Sequence, residues 1–216
     1  SAYAITSPLI QKADGTKFGK TESGNVWLDP TKTSPYKFFQ YWINASDEDA
    51  VNYIKIFTLK SQQETNSLIQ EHQKNPGLRL LQNELAKSIT TLVHGELNYK
   101  TAKEASMILF KKGKEAVQSM KTLSAELFSD IFEGVPQIGI PFSEIDNGIG
   151  IIEALVSKTG FLKSNGEARR AIKENSISVN KQKVNENTVI NKVDLIAEKY
   201  ILLQRGKKNY FIITVV

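Results

Sequence analysis

Cysteine is absent from this chain, which excludes disulfides and any thiolate-bound metal. Such a composition suits a reducing compartment, so a cytoplasmic location is expected. Histidine is scarce. His72 and His94 are the two present, and neither has a carboxylate or a second histidine at a spacing that argues for a metal. No metal site is expected, and both read as surface or supporting residues. No apolar run of about 18 residues occurs, so no membrane-spanning helix is expected. No basic segment leads into an apolar core, so no secretory signal is read. Without secretion, Asn44-Ala45-Ser46 carries no meaning as a glycosylation acceptor.

What is present is ordinary for a globular protein. The chain has 216 residues, 40% apolar and 24% charged, enough for one large domain or two modest ones. The charge is unevenly placed. Residues 1–159 hold 17 Lys+Arg against 18 Asp+Glu, whereas residues 160–216 hold 11 against 5. The entire net charge of +5 therefore originates in the C-terminal quarter. A localised basic surface is what a nucleic-acid binder presents, although a solvated face gives the same count.

The pattern along the chain predicts helices from Pro35 to Glu133. Val51, Ile54 and Phe57 recur at helical spacing, as do Leu78, Leu81, Leu85, Ile89 and Leu92. Ser46 is placed to cap a helix whose first turn holds Asp47, Glu48 and Asp49. "KNPGLR" (74–79) predicts a turn, and a further long helix is expected over 96–110. "EGVPQIGIPFSEIDNG" (133–148) has no helical period and two prolines, and it reads as a linker. Beyond it, 150–160 and 164–175 predict helices, the second opened by a Ser164–Glu167 capping box. "ISVN" (177–180) predicts a strand, and 200–216 a hairpin around Gly206–Asn209.

One stretch invites a phosphate reading: "KADGTKFGKTESGNVWLDP" (12–30). It is not a Walker loop. Three residues, not four, separate Gly15 from Gly19, and no helix is predicted to start at the lysine. A stand-alone ATPase is rejected on that spacing. The five residues Lys17-Phe18-Gly19-Lys20-Thr21 instead resemble the KMSKS signature of class I aminoacyl-tRNA synthetases. The wider stretch from "PLIQKADG" through "VWLDPTKTSPYKFFQYWIN" is similar to the matching segment of bacterial tyrosyl-tRNA synthetases. "TTLVHGE" (90–96) resembles that family's helical anticodon-binding region. "GEARRAIKENSISVN" and "RGKKNYF" resemble its C-terminal RNA-binding domain, and the likeness runs over essentially the whole chain.

The resemblance implies an α+β fold. Residues 1–33 would close a catalytic domain and 34–134 form a helical anticodon-binding domain. Residues 135–147 would be the linker, and 148–216 a small ribosomal protein S-four-like helix–strand RNA-binding domain. It implies ATP contacts at Lys20, Lys17, Gly19 and Thr21, with Mg2+ accompanying ATP in the full-length enzyme and neither expected on this portion alone. Mobile ammonium groups there would neutralise charge growing on the pyrophosphate. The partner implied is tRNA(Tyr). Asp47 matches an acid that contacts the anticodon in some members. Lys163, Arg169, Arg170, Lys173, Lys181, Lys183, Arg205, Lys207 and Lys208 would meet RNA phosphates. The resemblance further implies a homodimer formed through a missing N-terminal Rossmann-type domain. This portion alone is then expected to be monomeric and inactive, with residues 1–30 loosely packed for want of that domain. Phe38, Phe39, Tyr41 and Trp42 could stack bases, but beside an apolar segment they read as packing residues. The competing expectation is a non-enzymatic RNA-binding protein with the same C-terminal fold, for which the Lys17–Thr21 signature and the Trp-Leu-Asp-Pro after it would have no purpose.

Overall fold

The structure, a computed structural model, describes residues 2–6, 9–21, 24–108, 113–207 and 209–216, with the backbone alone at 20, 21, 24, 113 and 114. The chain divides into two units, Ser1–Ser106 and Met107–Val216.

The first unit opens with irregular chain carrying a two-residue ladder, β1 (Lys20–Thr21) against β2 (Gly24–Asn25). Its helices start where a side chain can take an orphan backbone N–H. Ser34 caps α1 (Pro35–Ile43), and Pro35 stands where its missing N–H costs nothing. Ser46 caps α2 (Asp47–Phe57), as its sequence predicts, with three acids in the first turn facing the positive end of the helix dipole. Ser61 and Glu64 form a full capping box at α3 (Gln62–Lys74). The expected turn at 74–79 contains a single 3-10 turn, Pro76–Leu78, closed by Arg79 in the left-handed region at φ 52°. One long helix follows, α4 (Leu80–Ile108), broken at Gly95, where φ is 84° and ψ 162°. A side chain would strain that conformation, and the break falls between the two helical runs read from the sequence. Phe38, Phe39, Trp42, Ile54, Leu81, Leu85 and Ile89 are buried. Leu78 and Leu92 do not complete the expected stripe, being 70% and 62% exposed. Leu78 lies in the 3-10 turn, and Leu92 near the Gly95 break.

The second unit adds α5 (Gly113–Lys121) and α6 (Ala125–Ile131). The supposed linker then turns out to be part of the fold. It holds β3 (Gln137–Ile140) and α7 (Phe142–Asn147). Its prolines and glycines punctuate strand and helix rather than loosen them. The Pro136 carbonyl accepts the Ile212 N–H, and Pro141 stands at the N-cap of α7. A Cβ on Gly139 would come within 3.0 Å of Val216 Cγ1. After these come β4 (Ile149–Gly150) and α8 (Ile151–Glu153), which runs into a π-turn, Ala154–Lys158. Then follow α9 (Asn165–Lys173), β5 (Ile177–Val179), β6 (Gln182–Lys183) and β7 (Val189–Ile190). The strands β8 (Tyr200–Arg205) and β9 (Asn209–Val215) form the predicted hairpin.

The main sheet runs β3-β9-β8-β5-β6, with β3 parallel to β9 and the other pairs antiparallel. Apolar side chains cover both faces. Ile177, Val179, Ile201, Leu203 and Ile213 pack in one core with residues of α7, α8 and α9. Tyr200, Leu202 and Ile212 pack in another with Met120, Phe128 and Phe132, and the Phe128 ring stacks on Tyr200 at 4.5 Å. Burial on both faces explains why "YILL" is continuously apolar rather than alternating. It also places α5 and α6, expected with the helical domain, against the sheet. The architecture is mixed helix and sheet.

The β5–β6 turn is built from Asn180 at φ 47° and Lys181 at φ 70°, the double left-handed pair that suits a two-residue hairpin. Asn180 is buried; its side chain donates to the Asp194 carbonyl and accepts the Leu202 N–H. Asn180→Ala therefore loses two buried bonds and strains the turn, and urea denaturation should show a loss of about 2–4 kcal/mol. Asn180→Gly relieves the strain only, and should be milder than the alanine variant by about 1 kcal/mol.

Candidate functional site

Within the first unit, the signature loop is held on a shelf of aromatic rings. The Phe18 ring stacks on Phe57 at 4.8 Å and 18°. It meets Tyr53 edge-on at 5.2 Å and lies 5.9 Å from Trp42 and 6.0 Å from Tyr41. Hydrogen bonds fix the backbone on either side of this anchor. Ala13 N–H donates to Asp49 Oδ1 at 2.7 Å, Gly19 N–H to the Tyr41 hydroxyl at 3.2 Å, and Val26 N–H to the Gly19 carbonyl at 3.0 Å. Gly15 and Gly19 take φ 80° and 77°, where glycine alone is unstrained. Lys17 is exposed while Phe18 turns inward, the alternation of an extended chain. Gly19, Lys20 and Thr21 follow directly, the last two entering β1. This anchoring departs from the expectation of loose packing over 1–30 at residues 13–19 alone; Tyr3, Ile5 and Leu9 are irregular and largely exposed, as expected. The signal was in the sequence: an aromatic inside a glycine–lysine loop, with Tyr41 and Trp42 of α1 and Tyr53 and Phe57 of α2 to receive it. Burial raises the Tyr53 hydroxyl pKa far above its ordinary 10.0, helped by the Asp49 charge, and raises that of Tyr41. Both hydroxyls stay neutral and able to accept or donate. Phe38, Phe39 and Trp42 are buried, so packing, not base stacking, is their role.

Asp47 sits at the exposed start of α2. Gln82 Nε2 donates to its Oδ1 at 2.6 Å, and His72 Nε2 lies 3.2 Å from the same oxygen. His72 is 2% exposed, so of the two readings, surface or supporting, the structure favours the second. His94 is half-buried with its ring edge-on to Phe38 at 4.7 Å, and burial lowers its pKa. Among the described residues no group of three or more His, Asp or Glu stands together as a metal site.

In the second unit the basic residues fall into two groups. Lys163, Arg169, Arg170 and Lys173 are exposed on or beside α9. Lys183 joins them through a bond from Nζ to the Asn175 carbonyl, and Arg205 through a 2.6 Å bond from its guanidinium to Glu167 Oε1. Lys181 and Lys207 gather instead at Tyr210. Lys181 Nζ lies 5.1 Å from the centre of that ring, and the Tyr210 hydroxyl donates to the Lys207 carbonyl. Strand register puts Arg205 and Tyr210 on opposite faces of the sheet, so the set expected as one RNA surface is two. Lys181 is half-buried, and burial lowers its pKa. Arg205 is committed to Glu167, and Arg169 Nε stands 3.6 Å from Glu186. Lys208 lies outside the described residues. The capping box is also altered. Ser164 Oγ accepts the Glu167 N–H, but the Glu167 carboxylate turns to the Lys163 N–H at 2.9 Å and to Arg205.

Two outcomes follow for these sites. Phe18→Ala should remove the loop's anchor at a cost of about 2 kcal/mol, and amide exchange at Gly19 and Val26 should quicken at least tenfold, read by hydrogen exchange with mass spectrometry. The Lys163 N–H first, then Arg205, hold the Glu167 carboxyl below its ordinary 4.5. A depressed carboxylate stabilises the fold above its unfolded value, and that stability is lost as pH falls through 4.5 toward the folded value. Thermal unfolding between about pH 6 and pH 3 should therefore show an acid-dependent loss for the wild type that is smaller in Glu167→Gln.

Comparison with known proteins agrees with the geometry. Residues 1–111 match the family model for tRNA synthetases class I (W and Y), and residues 128–213 match the tyrosine–tRNA ligase SYY-like C-terminal domain. The tyrosine–tRNA ligase of Flavobacterium johnsoniae is 53% identical over 100% of this chain and 49% of its own length. Those of Bacteroides fragilis and Porphyromonas gingivalis are 48% and 46% identical over 98% and 99% of the chain. The chain spans about half the length of these curated relatives. By the family model that covers its first half, together with these relatives, the chain belongs to the class I tRNA synthetases, on the tyrosyl side of that family.

Proposed function

We propose that this chain supplies the signature loop and the tRNA-binding part of a tyrosine–tRNA ligase. That enzyme joins tyrosine to ATP, accompanied by Mg2+, and transfers the tyrosyl group to tRNA(Tyr). The observation that carries the reading is the anchored loop. Phe18 fixes its position on α1 and α2, while Lys17 stands exposed and Gly19, Lys20 and Thr21 lead into β1. Such a loop presents cations at a set place without a rigid cradle, which suits stabilising charge that appears on a departing pyrophosphate. Lys20, Lys17, Gly19 and Thr21 are the proposed ATP contacts. A cytoplasmic homodimer is the assembly that goes with this reading.

The second unit serves the tRNA. Helix α9 beside the β5–β6 and β8–β9 hairpins supports a ribosomal protein S-four-like domain. Phosphates would be met by Lys163, Arg169, Arg170, Lys173 and Lys183 around α9. Lys181 and Lys207 would form a separate contact, Lys208 being proposed from the sequence alone, and Arg205 acts by bracing Glu167. The weak, exposed pair of Arg169 with Glu186 costs little to exchange for a phosphate. Asp47 in the first unit would read the anticodon.

Binding of a tRNA(Tyr) transcript across a salt series tests this assignment. Each phosphate contact adds about 0.9 to the slope of log affinity against log salt, so Arg169→Ala with Arg170→Ala should weaken binding and flatten the slope by about 1–2 units. Helix content should persist by circular dichroism, because alanine favours helix and Ser164 still caps α9. Unchanged affinity and slope in a folded double variant would remove α9 from the RNA surface.

A further inference from the structure

Side chains from three helices meet at the first turn of α2: Asp47 of α2, His72 of α3 and Gln82 of α4. Gln82 is 0% exposed and His72 2%, yet the Asp47 side chain they approach is 55% exposed. Gln82 Nε2 donates to Asp47 Oδ1 at 2.6 Å and to the Ala45 carbonyl at 3.3 Å. Arg79 holds the Ile43 carbonyl of the same connection at 2.5 Å. His72 Nε2 stands 3.2 Å from Oδ1, near enough to pair but off the hydrogen-bond line, and neither of its ring nitrogens makes a hydrogen bond.

This arrangement is more than a helix cap. Ser46 is the cap, and Glu48 and Asp49 already place negative charge at the helix start. Burying a polar group without full satisfaction is costly. Here Gln82 is buried and bonded to one oxygen of a carboxylate that is itself largely in solvent, and His72 is buried 3.2 Å from that same oxygen. That cost has a use where the carboxylate must be held still for something arriving from outside. Because both approaches fall on Oδ1, Oδ2 is the oxygen left to a ligand. A carboxylate only accepts, and RNA phosphates repel it. The donors RNA offers it are ribose 2′-hydroxyls and base-edge N–H groups, and of these only the N–H of an unpaired base lets a fixed carboxylate tell one nucleotide from another.

We propose that His72 and Gln82 are positioning residues that hold the Asp47 carboxylate to receive an amino or imino N–H of an unpaired nucleobase. The proposal rests on the assignment of Asp47 to tRNA recognition, and the test separates the two. Affinity of the full 216-residue chain for a tRNA(Tyr) transcript is measured for Asp47→Asn, His72→Phe, His72→Gln, Gln82→Met and the double variant Asp47→Asn with Gln82→Met. Asp47→Asn should weaken binding on the order of tenfold, since hydrogen bonds to a charged acceptor are the strong ones. His72→Phe and Gln82→Met should each weaken it about threefold or more with an unchanged salt slope, because no phosphate contact is lost. His72→Gln, which keeps a donor near the Nε2 position, should bind within about twofold of wild type. In the Asp47→Asn background, Gln82→Met should cost nothing further, as expected of residues that act through one another. Circular dichroism and thermal unfolding verify each fold, and if His72→Phe does not fold, the Gln82 cycle decides alone. Wild-type binding by Asp47→Asn would overturn the assignment and the proposal together. A weakened Asp47→Asn beside wild-type binding by folded His72→Phe and Gln82→Met would overturn the proposal alone, as would additive losses in the double variant.

Discussion

The signature loop of the first unit depends on one ring finding its place. Phe18 lies in a segment too rich in glycine and lysine to fold on its own, and local propensity gives that segment no helix or long strand. Stacked on Phe57 and edged by Tyr53, the ring turns the loop into a layer on α1 and α2. The polar bonds then have fixed ends to join. Asp49 receives Ala13, and Tyr41 receives Gly19. The order of dependence follows from magnitudes. A buried aromatic contributes a few kcal/mol, each backbone-to-side-chain bond about one.

In the second unit, charge is organised by competition between internal partners and solvent. The excess of cations seen in the sequence is partly consumed inside the protein. Arg205 braces Glu167, Lys192 pairs with Asp146 at 2.8 Å, and Lys181 lies against Tyr210. What remains presentable to a polyanion is concentrated on α9. A charge count thus overstates the cations that are left unpaired at the surface.

Much of the architecture was legible in the sequence because it is written locally. Ser46, ahead of three acids, and Ser164, three residues before Glu167, cap helices where the sequence places them. Gly95 divides the long helical stretch, and Gly206 lies in the last hairpin. The failures are tertiary. Pro136, Gly139 and Pro141 look like linker residues until β9 is alongside, and the distance in sequence between Gln137 and its partner Ile212 hides that pairing. His72 stays undecided between surface and supporting residue because nothing in its neighbours announces Gln82 and Asp47. The pairing of Arg205 with Glu167 is hidden because Glu167 belongs to another element. Each miss involves a residue whose environment comes from outside its own helix or strand.

The parallel pairing of β3 with β9 has a consequence for how the second unit is made. The β8–β9 hairpin closes over a few residues and can form early, whereas β3 must be brought back across nearly the whole unit. Until it arrives, β9 offers a row of unpaired N–H and C=O groups beside "YFIITV", an apolar, β-branched segment without charge. That is the composition most prone to pair with another chain. The order of assembly, more than the final stability, therefore sets the hazard. Conditions that delay docking of β3 should favour association between molecules over completion of the sheet.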